Sequence, residues 1–575
     1  MVLPETIRDS RRLTGPNLVT ERPGAVLEVE LPDPAADELV RFWKEEARLA
    51  LAAVGWAGES LHVRRYPGGA SLALTAPIDA LYAATEVNEW AWTAATARFH
   101  CEPVDGAEEY ARLAALIAEE RKPALLALQQ AADAHGLRFL WDDEAVSIGT
   151  GAGSMTWAMD ALPTPSDVHW AALRNIPVAL ITGSNGKTTV TRLVSEMITA
   201  AGLVGGHTST DGVKVGGELL ETGDFSGPGG ARRLLRDRRV ELAVLETARG
   251  GLLRRGLAID HADVALVTNI AEDHLGESAV YSLADLAEAK LVVARALGGT
   301  RPLVLNADDP ALVAAGATFA GPIAWFSLDA DHPTLAVARR RGRPTATVRE
   351  GRIVLGDGTR ERSITPLDRI PITVGGAARH NVANALAAAL VGALLGLDDP
   401  SIATGLAALT NSPSGNLGRL NAFEFGGIRL FVDFAHNPHG VTALMEMAQA
   451  LPATRRLVVI GQAGDRDDHA ILELARTAWL GKPDRVLVKE MPAHLRGRKA
   501  GEVSGMLLAE LRSLGARDDQ LDLAVGELQA TRQALGWARD GDLLLLTVHA
   551  DRDTVLRYLQ RLAARQWTAG TPLPE

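Results

Sequence analysis

The sequence predicts an α/β protein: a central parallel sheet carrying a phosphate-binding loop, a C-terminal Rossmann-like domain, and an N-terminal α+β domain. Short aliphatic runs alternate with helical patterns from residue 166 onward, the signature of parallel strands covered by helices. One of those runs leads directly into Gly183-Ser-Asn-Gly186-Lys187-Thr188, a glycine-rich turn followed by a helical pattern. Two clusters of turn formers mark joints, Leu162-Pro163-Thr164-Pro165-Ser166 and Asn411-Ser412-Pro413-Ser414-Gly415-Asn416. They divide the 575 residues into regions 1–165, 166–412 and 413–575, in keeping with a prior of ~150 residues per domain.

In the first region, Val26 to Leu31 reads as a strand and Ala36 to Ala53 as a helix. Its glycine-rich stretch, Gly149-Thr-Gly-Ala-Gly153, lacks a lysine and a following helical pattern, so it reads as a structural turn. In the central region, Val178 to Thr182, Val240 to Leu245 and Val264 to Thr268 read as buried strands. The nearly apolar run Ala385 to Leu397 is shorter than the ~18–20 residues that span a bilayer and reads as a buried helix. The last region continues the pattern with Leu430 to Val432, Leu457 to Ile460, Val486 to Val488 and Leu543 to Thr547. No repeat period or long low-complexity tract interrupts it.

A net charge of −12 argues against nucleic acid as a partner, because duplex-binding proteins carry a basic field. Cys101 is the only cysteine, which leaves no intrachain disulfide and suits a reducing cytoplasm. Met1 to Arg12 carries charges and lacks the apolar core of a signal peptide. The expectation is a cytoplasmic protein without a membrane partner. A homo-oligomer is compatible with these features.

The phosphate loop departs from the common spacing, since Ile181 stands where the first glycine of that motif belongs. The mechanism survives the departure. Gly183 and Gly186 let backbone N–H groups curl around an anion, Lys187 supplies a point charge for the β- and γ-phosphates, and Thr188 offers a hydroxyl to Mg²⁺. An aliphatic strand precedes the loop. Val190, Leu193, Val194, Met197 and Ile198 follow at helical spacing, so a helix N-terminus points at the phosphates.

Ligands of such sheets bind beyond the carboxyl ends of the strands. Glu246 ends one strand, and Asn269, Asp273 and His274 follow another. Alone, Glu246 suits a helix cap and His274 a structural role. Together, at neighbouring strand ends beside a phosphate loop, they suit metal ions held against phosphates.

Thr182-Gly-Ser-Asn-Gly-Lys-Thr-Thr189 resembles the ATP loop of the Mur ligase family, enzymes that add amino acids stepwise to peptidoglycan precursors. Further marks follow in the family's order: Asn306-Ala-Asp-Asp-Pro310, Arg379-His-Asn-Val-Ala-Asn384, Gly418-Arg419 and Asp433-Phe-Ala-His-Asn-Pro438. The resemblance covers residues 170–575. Within the family it is greatest to the Mur-like part of cyanophycin synthetases. Thr208-Ser-Thr-Asp-Gly212, Gly223-Asp-Phe-Ser-Gly-Pro228, Glu246-Thr-Ala-Arg-Gly-Gly-Leu-Leu-Arg254, Gly464-Asp-Arg466 and Leu495-Arg-Gly-Arg-Lys-Ala-Gly-Glu502 carry that likeness. Arg12-Leu-Thr-Gly-Pro-Asn17 resembles the start of those enzymes' N-terminal domain. Cyanophycin synthetases also hold an ATP-grasp domain. Only 182 residues precede Gly183, too few for that domain plus another, so the resemblance implies one ligation activity instead of two.

Residue by residue, the resemblance implies catalytic roles for Lys187, Lys290 and His274. Gly183, Asn185, Gly186, Lys187, Thr188 and Thr189 would form the ATP loop, with Thr188 on the metal. Glu246 and His274 would hold a second Mg²⁺, and Lys290 would be carbamylated beside it. Asn381 would contact adenine, Arg419 and Asp433 would reach the nucleotide from the C-terminal domain, and His436 would lie beside them.

The expected activity is an ADP-forming acid–amino-acid ligation that uses ATP and Mg²⁺. A carboxylate oxygen is a poor leaving group, so transfer of the γ-phosphoryl group to it precedes attack by an amine. The acceptor would be an aspartyl or similar peptide carboxylate and the donor an amino acid, arginine or lysine. Asp465, Asp467 and Asp468 are candidates to pair with a guanidinium. Region 1–165 would bind the acceptor or serve assembly. Two other readings are a P-loop kinase or ATPase and a non-catalytic partner of a synthetase. The C-terminal sheet argues against the first, and the set Lys187, Glu246, His274 and Lys290 against the second.

Overall fold

Three aliphatic runs, Val178–Thr182, Leu242–Glu246 and Val264–Val267, lie side by side and parallel at the middle of the largest sheet. A computed structural model describes residues 6–31, 35–272, 279–413, 415–416 and 418–574. Successive side chains of a strand point to opposite faces. Val178 and Leu180 therefore pack with Leu234, Leu252 and Leu286 on one face, and Ala179 and Ile181 with Leu193, Met197 and Leu390 on the other. Burying each of the valine, leucine, isoleucine and methionine side chains contributes about 1.5–3 kcal/mol, and both faces are covered.

Among the described residues this sheet has eleven strands. The parallel part runs Gly205–Ser209, Leu242–Glu246, Val178–Thr182, Val264–Val267, Leu303–Asn306, Ile323–Ser327 and Thr345–Arg349. Antiparallel strands extend both edges. The second strand expected from the sequence begins at Leu242 and not at Val240, because Val240 N closes a turn on Asp237 O. Glu246 is thereby the last residue of that strand. The apolar run near Ala385 lies in the buried helix Arg379–Leu394.

A separate six-stranded sheet has the order Asn421–Phe425, Ile428–Asp433, Leu543–Thr547, Arg456–Ile460, Arg485–Glu490, Leu521–Val525. All its pairs are parallel except the first, so it is a Rossmann-like unit. The N-terminal part is α+β. A four-stranded antiparallel sheet packs against helices Ala36–Ala53 and Leu81–Phe99, and a three-stranded meander follows. Gly151–Gly153 forms a single 3₁₀ turn whose Ala152 N donates to Val240 O at 2.7 Å.

Ion pairs fasten the N-terminal part to the central sheet: Arg138 to Asp263 at 3.0 Å, Arg236 to Asp142 at 2.6 Å and Arg64 to Asp285 at 2.9 Å. Among the described residues no helix is long and apolar enough to cross a membrane.

Candidate active site

The Val178–Thr182 strand delivers the phosphate loop to the carboxyl edge of the sheet, and helix Lys187–Ala200 leads away from it. Two glycines shape the turn. Gly183 has φ 142°, and a Cβ there would lie 1.8 Å from Thr268 Oγ1. Gly186 has φ 88°, and a Cβ would meet Asn384 Oδ1 at 2.2 Å. Both positions require glycine for conformation and for space.

The neighbouring strand end then locks the loop. Thr268 Oγ1 and Asn269 Nδ2 donate to Asn185 O at 2.6 and 3.0 Å, while Asn185 N donates to Asn269 Oδ1 at 3.0 Å. The first N–H groups of a helix have no intrahelical acceptor, which makes this helix start an anion site. Lys187 Nζ folds back onto the carbonyls of Gly183 and Ser184 at 3.0 and 3.2 Å.

Glu246 is 2% exposed, and its Oε2 accepts from Thr188 Oγ1 at 2.9 Å. Its Oε1 is buried and accepts no hydrogen bond. Burial pushes the Glu246 carboxyl above its ordinary range, against the lowering pull of the Lys187 charge and the Thr188 hydroxyl. A buried carboxylate oxygen without a donor is costly unless a cation lies against it. Hard oxygen donors suit Mg²⁺, so this pair fits the metal.

The C-terminal domain supplies the facing wall. Asp433 accepts from Leu420 N at 2.7 Å and Ala435 N at 2.8 Å. The Arg419 guanidinium lies 4.7 Å over the Phe434 ring, and His436 Nδ1 sits 3.2 Å from Phe434 O. Asn437 Nδ2 donates to Asn185 Oδ1 at 3.2 Å, and Asn185 Nδ2 donates to His439 Nδ1 at 3.1 Å. Both ends of the Asn185 amide are thus held from the C-terminal domain. Asn381 Nδ2 donates to Ile372 O at 2.9 Å, and its Oδ1 accepts from Asn384 Nδ2 at 3.1 Å.

One cavity of about 650 Å³ gathers Asn185 to Thr189, Glu246, Asn381, Arg419, Asp433 and His436. Gly183 stands behind it as the turn. Lys290 is buried in helix Leu283–Leu291, outside the described lining of that cavity. Arg64 grips the same helix through Asp285 and Glu288. Asp273 and His274 lie outside the described residues. The carboxylates expected to bind a guanidinium are engaged by the chain itself. Asp465 pairs with Arg496, Asp468 with Arg498 at 2.7 Å, and Asp467 accepts from Ala470 N at 2.7 Å as a helix cap.

Other functional candidates escaped the sequence. Asp211 bridges Arg192 of the central domain at 2.8 Å and Arg552 of the C-terminal domain at 3.1 Å. A second cavity of about 360 Å³ holds Asp551 and Asp553 and shares Thr210, Arg419 and Phe434 with the first. Neither arrangement has a local spacing signal. Arg552 is 341 positions from Asp211. His439 directly follows the Asp433–Pro438 stretch, and that adjacency was the available cue.

Residues 181–392 match the Mur ligase middle domain and residues 418–548 the Mur ligase glutamate ligase domain. Cyanophycin synthetase of Crocosphaera subtropica is 38% identical over 371 residues, 64% of this chain and 42% of that protein. That of Synechocystis sp. is 38% identical over 333 residues, 58% of this chain and 38% of that protein. This chain therefore spans less than half the length of the cyanophycin synthetases it matches. The UDP-N-acetylmuramoyl-L-alanyl-D-glutamate–2,6-diaminopimelate ligase of Geobacter metallireducens is 28% identical over 400 residues, 66% of this chain and 74% of that protein. Among solved structures, E. coli FolC in complex with ADP aligns at 21% identity and TM-score 0.48, over 68% of this chain and 90% of that one. With the phosphate loop, the facing C-terminal wall and both domain matches in one chain, the protein belongs to the Mur ligase family.

Proposed function

We propose that the chain is an ADP-forming acid–amino-acid ligase that activates a peptide carboxylate as an acyl phosphate and joins it to a basic amino acid. The observation that carries this reading is the Thr188–Glu246 pair beneath Lys187, inside a cavity walled by both Mur ligase domains. Lys187 would leave its carbonyl partners for the β- and γ-phosphates. Thr188 and Glu246 would hold Mg²⁺, which supplies charge neutralisation when bound. Asn381, Arg419, Asp433 and His436 would position the nucleotide.

An acceptor carboxylate oxygen attacks the γ-phosphorus and the bond to the ADP oxygen breaks. The donor amine then attacks the acyl carbon, phosphate leaves, and the amine loses a proton. The protein contributes positioning and charge stabilisation, and the two facing domains would exclude water from the acyl phosphate.

A basic donor is supported by Asp551 and Asp553 in the adjoining cavity, and not by Asp465 and Asp468, which arginines already occupy, or by Asp467, which caps a helix. Lys290 would be carbamylated. An ammonium buried near a cation is disfavoured, and the neutral amine adds CO₂ to become an anionic ligand. Residues 1–165 would orient the acceptor, with 166–412 and 413–575 as the two catalytic domains. Crossing amino acids with short acidic peptides in an ADP-release screen tests the reading. Turnover should need both partners and be greatest with arginine or lysine. Stimulation by neutral or acidic amino acids alone would reject the basic donor.

A further inference from the structure

The C-terminal domain buries a charged group that no step above uses. Lys489 lies next to the end of strand Arg485–Glu490, with a side chain of 0% exposure paired with Glu527, itself 3% exposed. Burying such a pair is costly unless the remaining lone pairs and protons are satisfied. Here they are. Glu527 also accepts from the backbone N–H of His549, Ala550 and Asp551 at 2.6, 3.0 and 2.7 Å. The ammonium donates to Thr547 O at 2.7 Å and to His549 Nδ1 at 3.3 Å.

That last contact fixes the imidazole. An ammonium has no lone pair, so Nδ1 must be the acceptor and the ring proton sits on Nε2. His549 Nε2 then donates to Ala435 O at 3.0 Å. Burial, with the adjacent Lys489 charge, keeps the ring well below its ordinary range and hence neutral. The ring also packs against Phe434 in a T-shaped arrangement, with centroids 5.3 Å apart.

Ala435 lies within the loop that forms the C-terminal wall of the nucleotide cavity. Its N–H is held by Asp433, Phe434 carries Arg419 on its ring, and His436 follows. The loop is therefore clamped from two sides, at Ala435 N by Asp433 and at Ala435 O by His549. We propose that His549 is a positioning residue for the nucleotide wall, holding Phe434 to His436 in place with a tautomer imposed by the buried Lys489–Glu527 pair. This rests on the reading of the 650 Å³ cavity as the nucleotide site.

The test compares His549→Phe, which keeps the ring packing and removes the donor, with His549→Gln, which keeps a donor near the Nε2 position. Losing one hydrogen bond to the loop should raise the KM for ATP about tenfold in His549→Phe, with kcat within about threefold of wild type. His549→Gln should recover most of the loss. Melting temperatures of the nucleotide-free proteins, read alongside, identify any variant that fails to fold, and the Gln variant then carries the test. A wild-type KM in a folded Phe variant overturns the proposal, as does a Gln variant as impaired as Phe. ADP binding by Lys187→Ala, measured by calorimetry in parallel, separates the two claims. If it equals wild type, the nucleotide site itself is misplaced. If it is weakened while the His549 variants bind normally, only the positioning role falls.

Discussion

Thr188 Oγ1 donates to Glu246 Oε2 at 2.9 Å, joining the first turn of the phosphate-loop helix to the end of the adjacent parallel strand. The other oxygen of that carboxylate is buried without a donor. The site therefore holds an anion that the nucleotide-free protein stabilises poorly and that a bound cation would stabilise.

Glu246→Gln tests this through stability. Burial raises the folded pKa of Glu246 above its unfolded value. The group thus favours the fold fully below its unfolded pKa, and that contribution is lost as pH rises through the folded value. At about pH 8 the nucleotide-free Gln variant should melt at or above wild type, with the gap closing towards about pH 4. Mg²⁺ with ADP should raise the melting temperature of wild type but not of the variant. Equal stabilisation of both by Mg²⁺–ADP would contradict metal binding at Glu246.

Lys187→Ala should keep the fold and lose ligation. Removing one preorganised charge from a transferring phosphoryl group costs ~3 kcal/mol or more, at least ~10²-fold in kcat. A circular dichroism spectrum matching wild type, together with near wild-type turnover, would dismiss the phosphate-loop assignment.

Lys290→Ala should lose most activity, and small carboxylic acids in solution should restore part of it by replacing the missing anion. Native mass spectrometry of the wild-type protein should show the carbamate, lost on acidification. Full activity in the untreated variant would rule out carbamylation.

Arg552→Ala removes the arm that reaches Asp211 across the domain boundary. Arg552 is partly exposed, and such pairs contribute about 0–1 kcal/mol, so the melting temperature should barely change. The KM for ATP should rise a few-fold because the C-terminal wall loses a tether. An unchanged KM would show that the bridge does not bear on the nucleotide site.

Much of the fold was legible because its information is local. Val178 to Thr182, Gly183, Gly186 and Lys187 stand next to one another in the sequence, and the period of apolar residues after them announces the helix. Glu246 was legible at one remove, since a parallel sheet gathers its strand ends on one edge. The support for Asn185 was less so, because Asn437 and His439 reach it from 252 and 254 positions away. Asp465 to Asp468 misled for the same reason. Composition shows three carboxylates after a strand, and only tertiary contact reveals that Arg496 and Arg498 already pair with two of them. The Lys489–Glu527–His549 cluster gives no pattern at all, since Glu527 and His549 lie 38 and 60 positions from Lys489.

Tracing oxygen from the acceptor is the most direct check on the central claim. An acidic peptide with isotopically labelled carboxylate oxygens should be incubated with ATP, Mg²⁺ and arginine or lysine, and the released phosphate analysed by mass spectrometry. An acyl-phosphate ligase moves one labelled oxygen into phosphate for each amide bond and each ADP formed. Unlabelled phosphate, or ADP released without an amine and without an amide product, would contradict the account.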